Sequence, residues 1–201
     1  MGQVPIITEW REAVPYLEGL KTTVQRDIRP LLETQGAAPF AIGREVMSYV
    51  DHMGHLYSGS DNVAARFKEY MEHILSKADP NYAKRAAEIY QMYRCGPVHE
   101  FEPKVLENKK GQLLRWCCYK GNRSDEIEIA AQKVKVKHLE AVNPAGDKNY
   151  WLPVSTPCLI EDLICSINQF AQAEPEDERI TAWNRAAREL NCPQPFNFVV
   201  P

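Results

Sequence analysis

The sequence predicts a mainly α protein of the α+β class: a four-helix-type bundle with a small antiparallel three-stranded sheet and two C-terminal helices. Three observations carry that expectation. Apolar residues recur every three or four positions from residue 10 to residue 100, the spacing of helices that bury one side. Beyond Pro103 the chain turns to bulky and β-branched residues, with strict alternation in KVKVKHL (133–139). From Thr156 a broad helical stripe returns.

In the first helix Leu17, Leu20, Val24, Ile28 and Leu31 form the stripe, and Pro30 with Gly36 predicts a kink or break before the chain turns. Pro39 opens the second helix, with Phe40, Ile42, Val46, Tyr49, Val50 and Met53 on its apolar side. YSGSDN (57–62) reads as a loop whose Asp61 caps a third helix carrying Val63, Phe67, Met71 and Ile74 or Leu75. Asp79-Pro80 has the form of an N-cap followed by a first-turn proline. The fourth helix it opens aligns Tyr82, Ala86, Ile89 and Tyr93. These helices make up a first unit, 1–103.

The second unit, 104–201, is expected to pack on the first as part of one compact body. QLLRWCCYK (112–120) is a strand, KVKVKHL a second and YWLPV (150–154) a third. The turn residues at 143–148 (NPAGDK) predict that the last two pair as a hairpin, while 121–133 holds a loop or another short strand. Thr156 caps a helix with Pro157 at its first position, and the helix's apolar face is Leu159, Ile160, Leu163, Ile164, Ile167 and Phe170. A polar break at 174–178 precedes a last helix over 179–190.

Composition narrows the function classes. The 201 residues are 44% hydrophobic and 25% charged, a globular balance that excludes wholesale disorder. A net charge of −3 is the wrong sign for a chain that lives on duplex DNA or an acidic membrane, so a nucleic-acid role has to rest on a local patch. With no apolar run near 20 residues and no signal-peptide pattern at the start, a cytoplasmic protein is expected. Six cysteines without a C-x-x-C spacing fit buried thiols in a reducing compartment.

The candidate chemistry lies where the fourth helix runs out, in YRCGPVHE (93–100). Arg94 is a permanent cation that can hold a phosphate bidentately, and His99 can move a proton near neutral pH. For RNA, a base that takes the 2′-hydroxyl proton and a cation that stabilises the phosphorane suffice, and no metal or other cofactor is needed. The alternative is structural: Arg94 pairs with a carboxylate such as Glu88 or Glu100 while His99 caps or packs.

A helical bundle followed by this R-x4-H segment resembles the HEPN superfamily, over roughly the first half of the chain in pattern and mainly at Arg94 and His99 in residues. The resemblance implies a helical domain that forms homodimers, with the motif facing its twofold mate. In active members the pair cleaves RNA without metal, often within toxin or defence systems; other members only bind nucleotides or protein partners. By that resemblance Arg94 would hold the scissile phosphate and His99 would move a proton or orient the 2′-hydroxyl. Two positions depart from the pattern: Cys95 follows the arginine where a polar residue is usual, and Pro103 leaves little room for a helix after His99.

Three further candidates stand beside this one. Asp51, His52 and His55 sit together, with His73 or His99 as a third ligand, but Gly54 weakens the helix between them and the motif of a helical metal site is missing, so no metal is assigned. Cys95 lies next to Arg94 and four residues from His99, without a recognisable oxyanion arrangement. Lys104, Arg115, Lys135 and Lys137 are candidate nucleic-acid contacts, with Trp116, Tyr119 and Trp151 offering rings for stacking. Lysines on alternate positions also serve simply to solvate an edge strand. The expectation is a metal-independent endoribonuclease or RNA-binding component; the alternative is a non-enzymatic interaction protein in which Arg94 and His99 are structural.

Overall fold

The computed structural model describes residues 2–33, 38–94, 103–173 and 177–192, and among these the apolar stripes become six α-helices. Helix α1, Val14–Asp27, buries Leu17, Leu20 and Val24. It stops ahead of Pro30, and Arg29–Leu32 follow as a 3-10 turn, because proline brings no N–H and disfavours helical geometry in the residue before it. Helix α2, Ala38–Ser58, is the longest of the described helices and carries Ile42, Val46, Val50 and Met53 into the core. Helix α3, Val63–His73, is capped by Asn62, whose Oδ1 accepts the Ala65 N–H at 3.1 Å, one residue later than the expected Asp61. Helix α4, Asn81–Ile89, buries Tyr82, Ala86 and Ile89, and the Asp79 carboxylate accepts the Asn81 N–H at 2.9 Å.

The β part differs from the expected hairpin. Strands β1 (Leu106–Glu107), β2 (Leu113–Tyr119) and β5 (Asn149–Ser155) form one mixed sheet in the order β1-β2-β5, with β2 and β5 parallel from Leu113↔Asn149 to Tyr119↔Ser155. Strand β4 (Gln132–Lys137) pairs instead with β3 (Ser124–Ile129) as a separate antiparallel ribbon. The 143–148 turn is closed only by a single antiparallel bridge, Val142↔Trp151. Beyond β4 the chain turns at Leu139, left-handed at φ 60°, whose N–H donates to the Pro153 carbonyl of β5 at 2.8 Å. The ribbon turns at Ala130-Ala131, both at positive φ (50° and 61°), the geometry of a two-residue hairpin without its usual Asn or Gly.

Alternation decides which way each strand faces. Leu114, Trp116 and Cys118 of β2, with Leu152 and Val154 of β5, join the helical core. Cys117, Tyr119 and Trp151 point the other way, onto Ile127, Ile129, Val134 and Val136 of the ribbon. The sheet thus lies between the bundle and the ribbon.

Helix α5, Thr156–Ala171, is capped by Ser155, one residue before the expected Thr156: the Ser155 hydroxyl accepts the Cys158 N–H at 3.2 Å, while the Thr156 hydroxyl donates to the Tyr119 carbonyl. Its predicted face, Leu159 to Phe170, is buried, and it packs on α1 and α2. Helix α6, Asp177–Asn191, lies on α2 and places Trp183 in the core, edge-on to Trp10 at 5.5 Å between ring centroids. The α6 helix also reads the extended backbone before α1. Asn184 exchanges two hydrogen bonds with Ile7 (2.8 and 2.7 Å) and Asn191 two with Val4 (3.0 and 2.7 Å). Two amides seven positions apart lie on one helix face and stand in for a neighbouring strand. The Trp183 indole N–H adds a bond to the Pro5 carbonyl at 2.8 Å.

Candidate functional site

Helix α4 runs into a π-helical turn, Tyr90–Arg94. Tyr93 is buried, its ring 4.1 Å from that of Trp116, and its hydroxyl lies 3.8 Å from the Cys118 sulfur. The ring fits because α2 has Gly43 opposite it: a Cβ there would lie 1.7 Å from the Tyr93 oxygen. The backbone of Arg94 is therefore carried by a neighbour fixed against both α2 and β2. Beyond it the chain returns to the same turn, where the Lys104 N–H donates to the Met92 carbonyl at 3.1 Å. His99, with Cys95, lies in 95–102, outside the described residues.

The candidate RNA contacts are distributed over three places. Lys104 is exposed at the exit of α4. Arg115 is half-buried on the ribbon-facing side of β2, 3.5 Å from the Asn149 amide oxygen. Lys135 and Lys137 are exposed on β4, where Lys135 lies opposite Glu126 and Lys133 opposite Glu128. Lys137 reaches Glu140 at 3.7 Å. The ribbon face thus alternates in sign and is not a cationic stripe. Trp116 and Tyr119, offered by the sequence for stacking, are buried, and Trp151 is half-buried against the ribbon.

The histidines of the sequence's metal candidate go to separate partners. His52 Nε2 lies 2.9 Å from the Tyr16 hydroxyl, and burial pushes this imidazole down to about 4. His73 stacks on Tyr57, and Asp51 holds Arg66 through both oxygens at 2.9 and 3.3 Å. His55 turns instead to Glu189 of α6, at 2.8 Å. The adjacent thiols of Cys117 and Cys118 are pushed up, to about 12 and about 11, by burial, which makes them poor nucleophiles.

A polar network that the sequence reading missed joins the bundle to both β parts. Arg123, between β2 and β3, donates to Asp79 and to Asp162 at 2.5 Å each. The Tyr82 hydroxyl donates to Asp162 at 3.0 Å and lies 3.2 Å from His138 Nε2, while His138 Nδ1 accepts the Ser155 N–H at 3.0 Å. An accepting Nδ1 puts the imidazole proton on Nε2, so the direction runs His138 to Tyr82 to Asp162. Burial, helped by Arg123, pushes His138 down to about 4, in keeping with a neutral ring; its 3.7 Å approach to Asp162 is then no ion pair. Burial raises the Asp162 carboxyl even though Arg123 opposes it. Two signals were present in the sequence. Asp162 interrupts the apolar face of α5, and His138 follows Val134 and Val136 on the inward side of the alternation. A buried charge on an apolar face requires a partner, and only the tertiary fold names it.

Arg85 and Glu88 of α4 and Gln91 of the π turn, with Leu106, Leu114 and Tyr150 of the sheet, line an open cleft of about 590 Å³ next to the turn that ends in Arg94. Among the described residues no helix is long and apolar enough to cross a membrane. No protein-family model matches the chain, and neither does a curated protein or a solved structure, so its assignment rests on the residues themselves.

Proposed function

We propose that the chain is a HEPN-like protein acting on RNA, a metal-independent endoribonuclease or RNA-binding component of a toxin or defence-type system, cytoplasmic and homodimeric. The observation that supports this reading is the setting of Arg94. It closes a π turn at the end of a bundle helix, on a backbone held by buried Tyr93, and the chain comes back onto the same turn at Lys104. A phosphate-binding cation and a proton-transfer group must act together, and Arg94 and His99 are five positions apart in the sequence. The neighbouring cleft, with apolar Leu106 and Leu114 and polar Gln91 and Tyr150, offers room for a nucleotide.

The test is incubation of the purified protein with labelled RNA in EDTA. Cleavage by the wild type is expected to fall about 10²- to 10⁴-fold in His99→Ala and in Arg94→Ala, the usual loss for a proton-transfer group or a phosphate clamp. Equal cleavage by wild type and His99→Ala removes His99 from the mechanism. No RNA cleavage and no RNA binding favours the second reading, a non-enzymatic interaction protein with Arg94 and His99 in structural roles. That reading draws support from the ribbon, whose lysines face Glu126 and Glu128 and offer phosphates little net attraction.

A further inference from the structure

We propose that His55, Asp61 and Glu189 form a binding site for one divalent transition-metal ion of the zinc type, independent of the RNA reading. The three residues come from α2, the turn before α3, and α6, and one ligand atom from each lies within 4.8 Å of the others. His55 is the anchor: only 6% exposed, it holds Nε2 2.8 Å from Glu189 Oε2.

Asp61 is brought to this place by a turn that requires Gly59. At φ 62° a side chain there is strained, and a Cβ would sit 2.8 Å from the Ala182 carbonyl oxygen of α6. Asn62, not Asp61, caps α3, so the Asp61 carboxylate is left to face α6.

Arg185 holds both carboxylates from outside. Its Nη2 lies 2.7 Å from Asp61 Oδ2 and its Nε 3.3 Å from Glu189 Oε1, while Glu189 Oε2 faces the imidazole. Ligating carboxylates in metal centres are commonly oriented in this way by a second hydrogen-bonding group. Two carboxylates against one guanidinium leave one net negative charge beside the imidazole, which attracts a cation. An imidazole with two carboxylates, open to solvent for a water, suits zinc and disfavours calcium or magnesium, which take oxygen ligands. Ligands about 2.0–2.2 Å from a tetrahedral ion lie about 3.3–3.6 Å apart. The side chain of Asp61, 67% exposed, has the freedom to close the remaining gap.

Binding of Zn²⁺ to the full chain, followed by equilibrium dialysis and by Tm, tests the site, with Co²⁺ spectra to identify the donors. One equivalent bound, a raised Tm and a Co²⁺ spectrum lacking the intense thiolate charge-transfer band are expected. Glu189→Gln and Asp61→Asn should each weaken Zn²⁺ at least tenfold, and His73→Asn should leave it unchanged. Asp61→Asn alters an exposed side chain and keeps the test usable if Glu189→Gln unfolds. The proposal is overturned by failure to bind Zn²⁺ at 100 µM, by equal affinity in Asp61→Asn and wild type, or by a thiolate band showing cysteine ligation. The RNA assay in EDTA is separate, so either reading can fail without the other.

Discussion

Replacing Arg123 with alanine removes the guanidinium that bridges Asp79 and Asp162, whose side chains are only 8% and 5% exposed. Deleting one partner of a buried pair typically costs about 3–5 kcal/mol, because the remaining charge stays buried. Arg123 is itself 44% exposed, so water can enter where its head group was, which reduces the expected loss to about 2–3 kcal/mol. For a chain of this size that lowers Tm by about 4–12 °C. The assay is urea unfolding of wild type and Arg123→Ala at pH 7 and pH 5. Burial already raises Asp162, and loss of the cation raises it further. An acid whose folded pKa exceeds its unfolded value gains its proton on folding, so its penalty is full at high pH and fades as pH falls through the folded pKa. The difference between the two proteins should therefore narrow at pH 5, and Asp162→Asn in the Arg123→Ala background should recover part of it. A variant within about 0.5 kcal/mol of wild type at pH 7, or a difference that widens on acidification, would refute the reasoning.

Two other outcomes follow from the buried His138 and from Gly43. His138 is held down to about 4 against an ordinary 6.5, so the folded state excludes its proton. Its stabilisation is complete above pH 6.5 and is lost as pH falls toward 4, worth up to about 3 kcal/mol there. His138→Gln should flatten this acid limb of the stability curve, and an unchanged slope in that variant would clear His138 of the effect. Gly43→Ala should destabilise by about 1–3 kcal/mol or more, since its Cβ would overlap the Tyr93 ring. Because Tyr93 carries the turn that ends in Arg94, the substitution should also reduce RNA cleavage. Combining it with Tyr93→Leu should restore stability, and failure of that rescue in urea melts would place the clash elsewhere.

Helices were readable because each encodes its own burial: Leu17, Leu20 and Val24 in α1, or Leu159 through Phe170 in α5, repeat at the period of the helix itself. Strand pairing was not readable. Alternation in 133–139 shows which side of β4 is buried, yet says nothing of which strand lies beside it. The deciding features were a left-handed Ala130-Ala131 turn without the usual residue signature, and the cross-strand pairs Lys135–Glu126 and Lys133–Glu128. At the proposed site, Arg94 was found from local spacing, while its partner His99 lies outside the described residues. The Arg123 network was only hinted at by Asp162 and His138, and the His55–Asp61–Glu189 group not at all, because Arg123, Asp162 and Glu189 lie tens of residues from their partners and meet them only in the folded chain.

The pairing of Asn184 and Asn191 with Ile7 and Val4 has a bearing on how the chain reaches its final state. Ile7 and Val4 leave the ribosome 177 and 187 residues before the amides that satisfy their backbone. During synthesis that stretch must wait, solvated and undocked, and the aromatic nest around Trp183 stays open with it. Closing the first few residues against the last helix is then a late step, and proteolysis or truncation at either end should loosen the other.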